Sequence, residues 1–536
     1  MNRILATAML LGLAAFQART EELTFPVNGV MRDIRVGEVQ SYTFSADAGD
    51  LVSGTLDLKG IAVNATVFDS HGKKIRTGEY LGPGITPVGF LVAPVSTTYR
   101  LEIVGTGKSE SGSYAMSLRK MTSSTRMAVQ SAKPAEKYTS PRIVRLKRDV
   151  QEGKPGVLEE FWAEAVRGGG PIIEPIEGDD QNVLATFLWK EIYETYNVLL
   201  VWHVADDYMT RIAGTNVWYK TLSIRKGSRI GYLISPNDRP EDRLLLPDYR
   251  PFTAQSDPLN PRRSLDSVDP TEDYAASVLE LAGAPDEKWV RDVPPRRGKV
   301  EGITVDSLLL KSKREVKVYT PPGYEPGKGA YPLIVFLDGA AYLGDAFRAP
   351  TILDNLIGAR KLRPSIALFV DGNRPLNTTF ADAVSNEIVP LVRSNFPVSR
   401  DAKDVVIGGW SAGGSGAALI ALWHPNVFGN VFSQSGAFRG HPRGSIEPNS
   451  ISQTYLEAPL LPIRFYIDAG LYDNIPDLPI SELALDESNT QGNRHFRDVL
   501  KAKGYDVIYR ETGGGHDPLH WRATLPEALM ALLPPK

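Results

Sequence analysis

The stretch "DVVIGGWSAGGSG", residues 404–416, sets Ser411 among five glycines directly after an apolar run. Glycine carries a backbone-entropy cost, so a close approach or a tight turn must require it there. Gly409-Trp410-Ser411-Ala412-Gly413 has the spacing G-x-S-x-G, preceded by strand-like Val405-Val406-Ile407 and followed by helix-like "GSGAALIALWH". A serine on a strained strand-to-helix turn is exposed as a nucleophile, and residues two positions away must lack side chains so that strand and helix can pass. Gly414 and Gly416 extend that allowance into the helix. A serine hydroxyl attacks only when a base takes its proton. Of the seven histidines, His516 in "ETGGGHDPLHW" is the best-placed base, in a glycine-rich loop after the last predicted strand. His520 is the rival, on the opening turn of the final helix. Two histidines at i and i+4 could share a metal, but no suitable third ligand lies nearby and Pro518 disturbs the turn, so no metal is predicted. The acid that orients the imidazole is sought in "FYIDAGLYDN", which offers Asp468 and Asp473. Asp473, in the loop of Gly470-x-x-Asp473, has the reach and is favoured; Asp468 is the alternative. An oxyanion needs two preorganised N–H donors. Ala412 supplies one, and Gly339 or Ala340 in "LDGAAY" the other, with Asp338 shaping that loop.

Arg374, Arg439 and Arg522 are candidates to meet an anionic substrate, since guanidinium suits carboxylate or catecholate oxygens. The competing reading is surface ion pairs. Trp218 could line the substrate pocket or pack in a core.

The elements that must hold these residues follow from the hydrophobic pattern. From residue 300 onward, "PLIVFLDG", "SIALFVDG", "DVVIGGWS", "GNVFSQSG", "IRFYIDAG" and "DVIYRETGGG" are near-continuous apolar runs, as buried parallel strands require. Helix-like segments separate them, among them "FADAVSNEIVPLVRSNF" with Phe380, Val384, Ile388 and Leu391 on one face. The alternation predicts a doubly wound, mostly parallel α/β sheet over residues 300–536. Residues 21–120 alternate with period two, as in "TYRLEIVG" and "SYAMSLRK", and turn often, which predicts a β-sandwich. Residues 121–142 and the Pro/Arg-rich 286–299 are expected to be linkers. Between them, residues 143–285 form a second, mainly β, unit with a helix at "LEEFWAEAVRGGGP" ended by Gly168 to Pro171.

With 536 residues, several domains are expected; a net charge of −3 provides no field for nucleic acid or an anionic membrane surface. The absence of cysteine excludes thiol catalysis, thiolate metal sites and disulfides. "MNRILATAMLLGLAAFQARTEE" carries Arg3 and then an apolar run from Ile4 to Phe16, the length of a signal h-region and too short to span a bilayer. The expectation is a signal peptide over residues 1–18, export to a bacterial periplasm or exterior, and no membrane span once the signal is removed.

"VVIGGWSAGGSGAALIALWHPNVFGNVFSQSGAF", "IVFLDGAAY" and "GGGHDPLHWR" resemble the putative-esterase branch of the α/β-hydrolase fold, and most closely the enterochelin (enterobactin) esterases. "FWAEAVRGGGPIIEPI", "VLATFLW", "VWYKTLSI" and "SDPLNPR" resemble the N-terminal domain of those enzymes, so the likeness covers roughly residues 143–536. Residues 21–120 resemble, more loosely, the bacterial pre-peptidase C-terminal type of β-sandwich. The resemblance implies a cofactor-free serine esterase acting on a catecholate siderophore trilactone, free or ferric, or a related ester, with Ser411 and His516 carried over directly. A feruloyl or acetyl-xylan type of carbohydrate esterase is the alternative within the same chemistry; a secreted binding protein on an inactive hydrolase scaffold is the alternative outside it.

Overall fold

The computed structural model describes residues 20–80, 83–107, 109–122, 136–202, 207–238, 253–264, 276–327, 329–371, 377–438, 450–473 and 489–535. The predicted signal peptide therefore lies outside the described residues. No described helix is long and apolar enough to cross a membrane.

The first unit is built of two packed sheets, one of five strands and one of four, between Thr20 and Met121. Tyr99, Leu101 and Ile103 on one strand and Tyr114, Met116 and Leu118 on another point inward, and all are buried in one apolar cluster. Period-two alternation gives each strand one face for the core and one for water.

A second pair of four-stranded sheets occupies residues 172–280. Two helices precede it. Pro141–Gln151 is capped by Ser140, whose hydroxyl accepts from the Ile143 N–H, so helix begins inside the segment expected to be linker. Val157–Gly168 stops at Gly169 in the left-handed conformation, the glycine C-cap that the sequence signalled. Trp218 is 7% exposed in the apolar cluster between these sheets, and its indole N–H donates to Glu191. It packs in that core.

The C-terminal unit carries an eight-stranded sheet in the spatial order Lys299–Ser307, Ser312–Thr320, Ile366–Val370, Leu333–Leu337, Val405–Trp410, Asn430–Gln434, Arg464–Gly470 and Asp506–Thr512. The first two strands pair antiparallel and every pairing from Ile366–Val370 onward is parallel. The six apolar runs predicted as strands are the six that pair in parallel. Helices cover both faces, and each face has its own apolar cluster. The edge strand Lys299–Ser307 is mostly exposed, and Ser312–Thr320 alternates charged residues with Val316, Val318 and Tyr319 of the core, so neither shows an unbroken apolar run. The helix predicted over "FADAVSNEIVPLVRSNF" is three pieces, with a wide turn at Val384–Ile388 just before Pro390, which has no N–H to donate.

Residues 286–299, expected to be a linker, are instead bound to this unit. Glu287 is 3% exposed, Lys288–Arg291 is helical, and the Asn355 amide donates to the carbonyls of Trp289 and Asp292.

Candidate active site

Ser411 joins the strand Val405–Trp410 to the helix Ala412–Trp423 with φ 51° and ψ −121°. A non-glycine residue at positive φ costs roughly 1–3 kcal/mol and persists only where its surroundings impose it. Those surroundings are visible: the Ser411 N–H donates to the Gln434 carbonyl, and its own carbonyl accepts from Ala437 and Ser415. A Cβ on Gly409 would lie 2.9 Å from the Gly413 carbonyl carbon, and a Cβ on Gly413 would lie 2.5 Å from Asp338 Oδ2. The two glycines of G-x-S-x-G are where strand, helix and the loop after Leu333–Leu337 meet. Ala412 and Gly339 each begin a helix, so their N–H groups have no intrahelical acceptor. The Ala340 N–H is already committed to Asp371 Oδ1 at 2.8 Å. Of the two expected donors in that loop, Gly339 is the one left to face an oxyanion.

His516 Nδ1 lies 2.7 Å from Asp473 Oδ1. The ring packs edge-to-face on Trp521, with centroids 4.8 Å apart, and sits 6.5 Å from the ring of Trp410, the neighbour of Ser411. With its Nδ1–H donated to the carboxylate, a neutral imidazole keeps Nε2 as an acceptor. Asp473 is fully buried. Burial pushes its pKa up, but the hydrogen bond and charge of His516, with Ser435 and Asn489, outweigh that and hold it below its ordinary value. Asn489, on the first turn of the helix Asn489–Lys503, donates to both Asp473 Oδ2 and the Ser435 carbonyl. Ser435 itself has φ 50°.

The other candidate acid meets the other candidate base. Asp468 Oδ1 is 2.9 Å from His520 Nε2 and both are buried, so Asp468 is not the partner of His516. Arg522 is also buried, its Nε 2.6 Å from Glu287 Oε1, and it is spent on that ion pair rather than on a substrate. Arg374 and Arg439 lie outside the described residues.

Sequence reading missed Asn489, Ser435 and Trp521. Only Trp521, five residues after His516, had a local signal. The other two reach Asp473 from separate elements. It also missed how the second domain meets the histidine loop. The Arg229 N–H donates to the Gly513 carbonyl at 2.9 Å, and Tyr472, next to Asp473, accepts from the Arg225 N–H at 2.8 Å while its ring meets Trp202.

Comparison with known proteins places this geometry. Residues 307–532 match the family described as "Putative esterase", and residues 184–290 match the one described as "Enterochelin esterase, N-terminal". The C-terminal unit is thus an esterase of the α/β-hydrolase-like kind. The chain is similar to the iron(III) enterobactin esterase of Escherichia coli K12, 28% identical over 392 residues that cover 67% of this chain and 93% of that one. It is also similar to the iron(III) salmochelin esterase of Escherichia coli O6:H1, at 24% identity over 72% of this chain and 95% of the other. The enterobactin esterase of Shigella flexneri, crystallised in the presence of enterobactin, superposes with a TM-score of 0.54 at 25% identity, over 70% of this chain and 97% of that one. Over these two segments the chain resembles enterochelin-esterase-like putative esterases. Residues 20–121, the first sandwich, lie outside both family matches.

Proposed function

We propose that this protein is a serine esterase that hydrolyses the ester bonds of a catecholate siderophore trilactone, or a close relative of one. The reading is carried by a family likeness that runs through two domains in order, around a His516–Asp473 pair at 2.7 Å. Ser411 Oγ attacks the ester carbonyl carbon while its proton passes to His516 Nε2. Asp473 keeps the imidazole in the accepting tautomer and stabilises the imidazolium that forms. The tetrahedral oxyanion takes hydrogen bonds from the Ala412 and Gly339 N–H groups, and the dipole of the helix Ala412–Trp423 favours its charge. His516 returns the proton to the departing alkoxide, leaving an acyl group on Ser411. Water, deprotonated by the same histidine, releases that acyl group as a carboxylic acid. The apolar run Ile4–Phe16 is read as an export signal, which places the reaction outside the cytoplasm.

A fluorophosphonate probe tests the nucleophile. Mass spectrometry of the labelled protein is expected to find one adduct, on the peptide bearing Ser411, and Ser411→Ala to lose both the adduct and ester hydrolysis. An adduct on another serine, or a mutant that hydrolyses esters at the wild-type rate, would remove Ser411 from the mechanism.

A further inference from the structure

A second histidine–aspartate pair lies behind the first, and the mechanism above does not use it. His520 has no appreciable exposure at its side chain, and neither has Asp468. Both ring nitrogens are engaged: Nε2 with Asp468 Oδ1 at 2.9 Å, and Nδ1 with Thr512 Oγ1 at 2.9 Å. Its backbone N–H is held by the carboxylate of Asp517, the cap of the final helix. Two features tie this pair to the reacting groups. The loop that carries His516 crosses directly over the His520 ring, so that a Cβ on Gly514 would fall 2.3 Å from its Nδ1. The strand end beside Asp468 is Gln434, whose carbonyl holds the Ser411 N–H at 2.9 Å. The Gln434 amide reaches Asp468 Oδ2 at 3.5 Å and donates to the Trp521 carbonyl at 2.7 Å and to Thr524 at 2.8 Å.

We propose that His520 and Asp468 are a buried positioning pair: the doubly hydrogen-bonded imidazole ring is the floor on which the Gly513–Gly515 loop sets His516, and Asp468 links that floor to the strand end that fixes Ser411. This rests on the serine-esterase reading and deepens it. The ring donates Nε2–H to Asp468, while the Thr512 hydroxyl can donate to Nδ1 of the neutral ring or accept from the imidazolium, so both contacts hold the ring in either form. The groups facing His520 are Asp468, Thr512, Asp473 and Asp517, three of them acidic. Burial works against its charge, but the hydrogen bond and charge of Asp468, with Asp473 and Asp517, raise its pKa above the ordinary 6.5. The ring therefore carries its charge below the raised value and loses it as pH climbs through that value.

The pH profile of kcat reads this out. His520→Gln, a neutral ring-sized replacement, is expected to lower kcat by about tenfold or more with little change in KM, since misplacing a reacting group by ~1 Å can cost ~100-fold. Deprotonation of His520 is expected to change kcat in the wild type above the raised value, and the variant should lack that change. Asp468→Asn should keep that change and move it to lower pH. Variants with wild-type kcat and an unshifted profile would overturn the proposal, as would a loss of activity with the profile unchanged. Should either variant fail to fold, nitrogen NMR of the wild-type histidines decides. His520 is expected to stay protonated at both nitrogens above pH 6.5, and the His516 signals to follow its titration. A neutral His520 at that pH, or a titration that His516 ignores, would refute it. Fluorophosphonate labelling of wild-type Ser411 is unaffected by any of these results, so failure here is distinguishable from failure of the esterase reading.

Discussion

Asp468 and Asp473 stand five residues apart, one at the end of the strand Arg464–Gly470 and one in the loop beyond it, and each takes a different histidine. Sequence offered both acids to His516 and favoured the loop residue by reach; the competition ended because His520 occupies Asp468. What could not be read locally was the shell of the chosen acid. Asn489 and Ser435 come from a helix start and a strand end far away in sequence, and one of the two contributes through a backbone carbonyl. Replacing Asp473 by Asn is expected to lower kcat by roughly 10²–10⁴ with a smaller change in KM, because the amide favours the wrong tautomer of His516. The pH dependence has a fixed sign. Asp473 titrates below its ordinary 3.8 in the folded protein, so its ion pairing stabilises the fold above that pH and the contribution is lost as pH falls through the lowered value. The gap in melting temperature between wild type and Asp473→Asn should narrow on acidification below about pH 4. A gap that widened instead would mean that Asp473 is not held ionised by His516.

At the scale of elements, the elbow was the most legible feature. An apolar run, a glycine two residues before the serine and another two after it can satisfy strand, turn and helix together only if side chains are absent where the segments cross. The two glycines differ in what each faces. Gly409 faces backbone atoms of Gly413 at 2.9–3.1 Å, which cannot rotate away, whereas Gly413 faces the tip of the Asp338 side chain. Gly409→Ala is therefore expected to cost about 1–3 kcal/mol and to depress kcat, and Gly413→Ala to cost less on both counts. Thermal unfolding and initial rates of the two variants check this, and a Gly409→Ala protein as stable and active as wild type would contradict it. The parallel strands were equally legible, since burial on both faces leaves an unbroken apolar run. The two antiparallel strands were not, because Lys299–Ser307 is a mostly exposed edge and Ser312–Thr320 interleaves charged residues with its buried valines. Residues 286–299 were misjudged for a related reason. Proline and arginine read as solvated linker, yet Glu287 there is buried against Arg522 and Arg291. Removing one member of such a pair leaves an uncompensated buried charge, whatever the pair itself contributes.

Taken as a whole molecule, the second domain does more than precede the esterase unit. It holds the backbone of the histidine loop through Arg229 and Gly513, and it touches the acid loop through Tyr472, so both sides of the His516–Asp473 pair lean on it. That contact lies between a segment that matches the enterochelin esterase N-terminal family and one that matches the putative-esterase family, in that order, which is why the substrate proposed is a trilactone and not a generic ester. The first sandwich lies outside those matches and was legible in the sequence through its period-two strands and frequent turns. The most direct measurement is the initial rate of ester hydrolysis by the full chain on a panel of a catecholoyl-serine trilactone, its linear di-ester product, a feruloyl sugar and an acetylated xylan. The account predicts that the trilactone has the highest kcat/KM, by about tenfold or more over the sugar esters, as expected when binding energy from the remote catechol rings is used in the transition state. Efficient cleavage of the sugar esters with no turnover of the trilactone would contradict it.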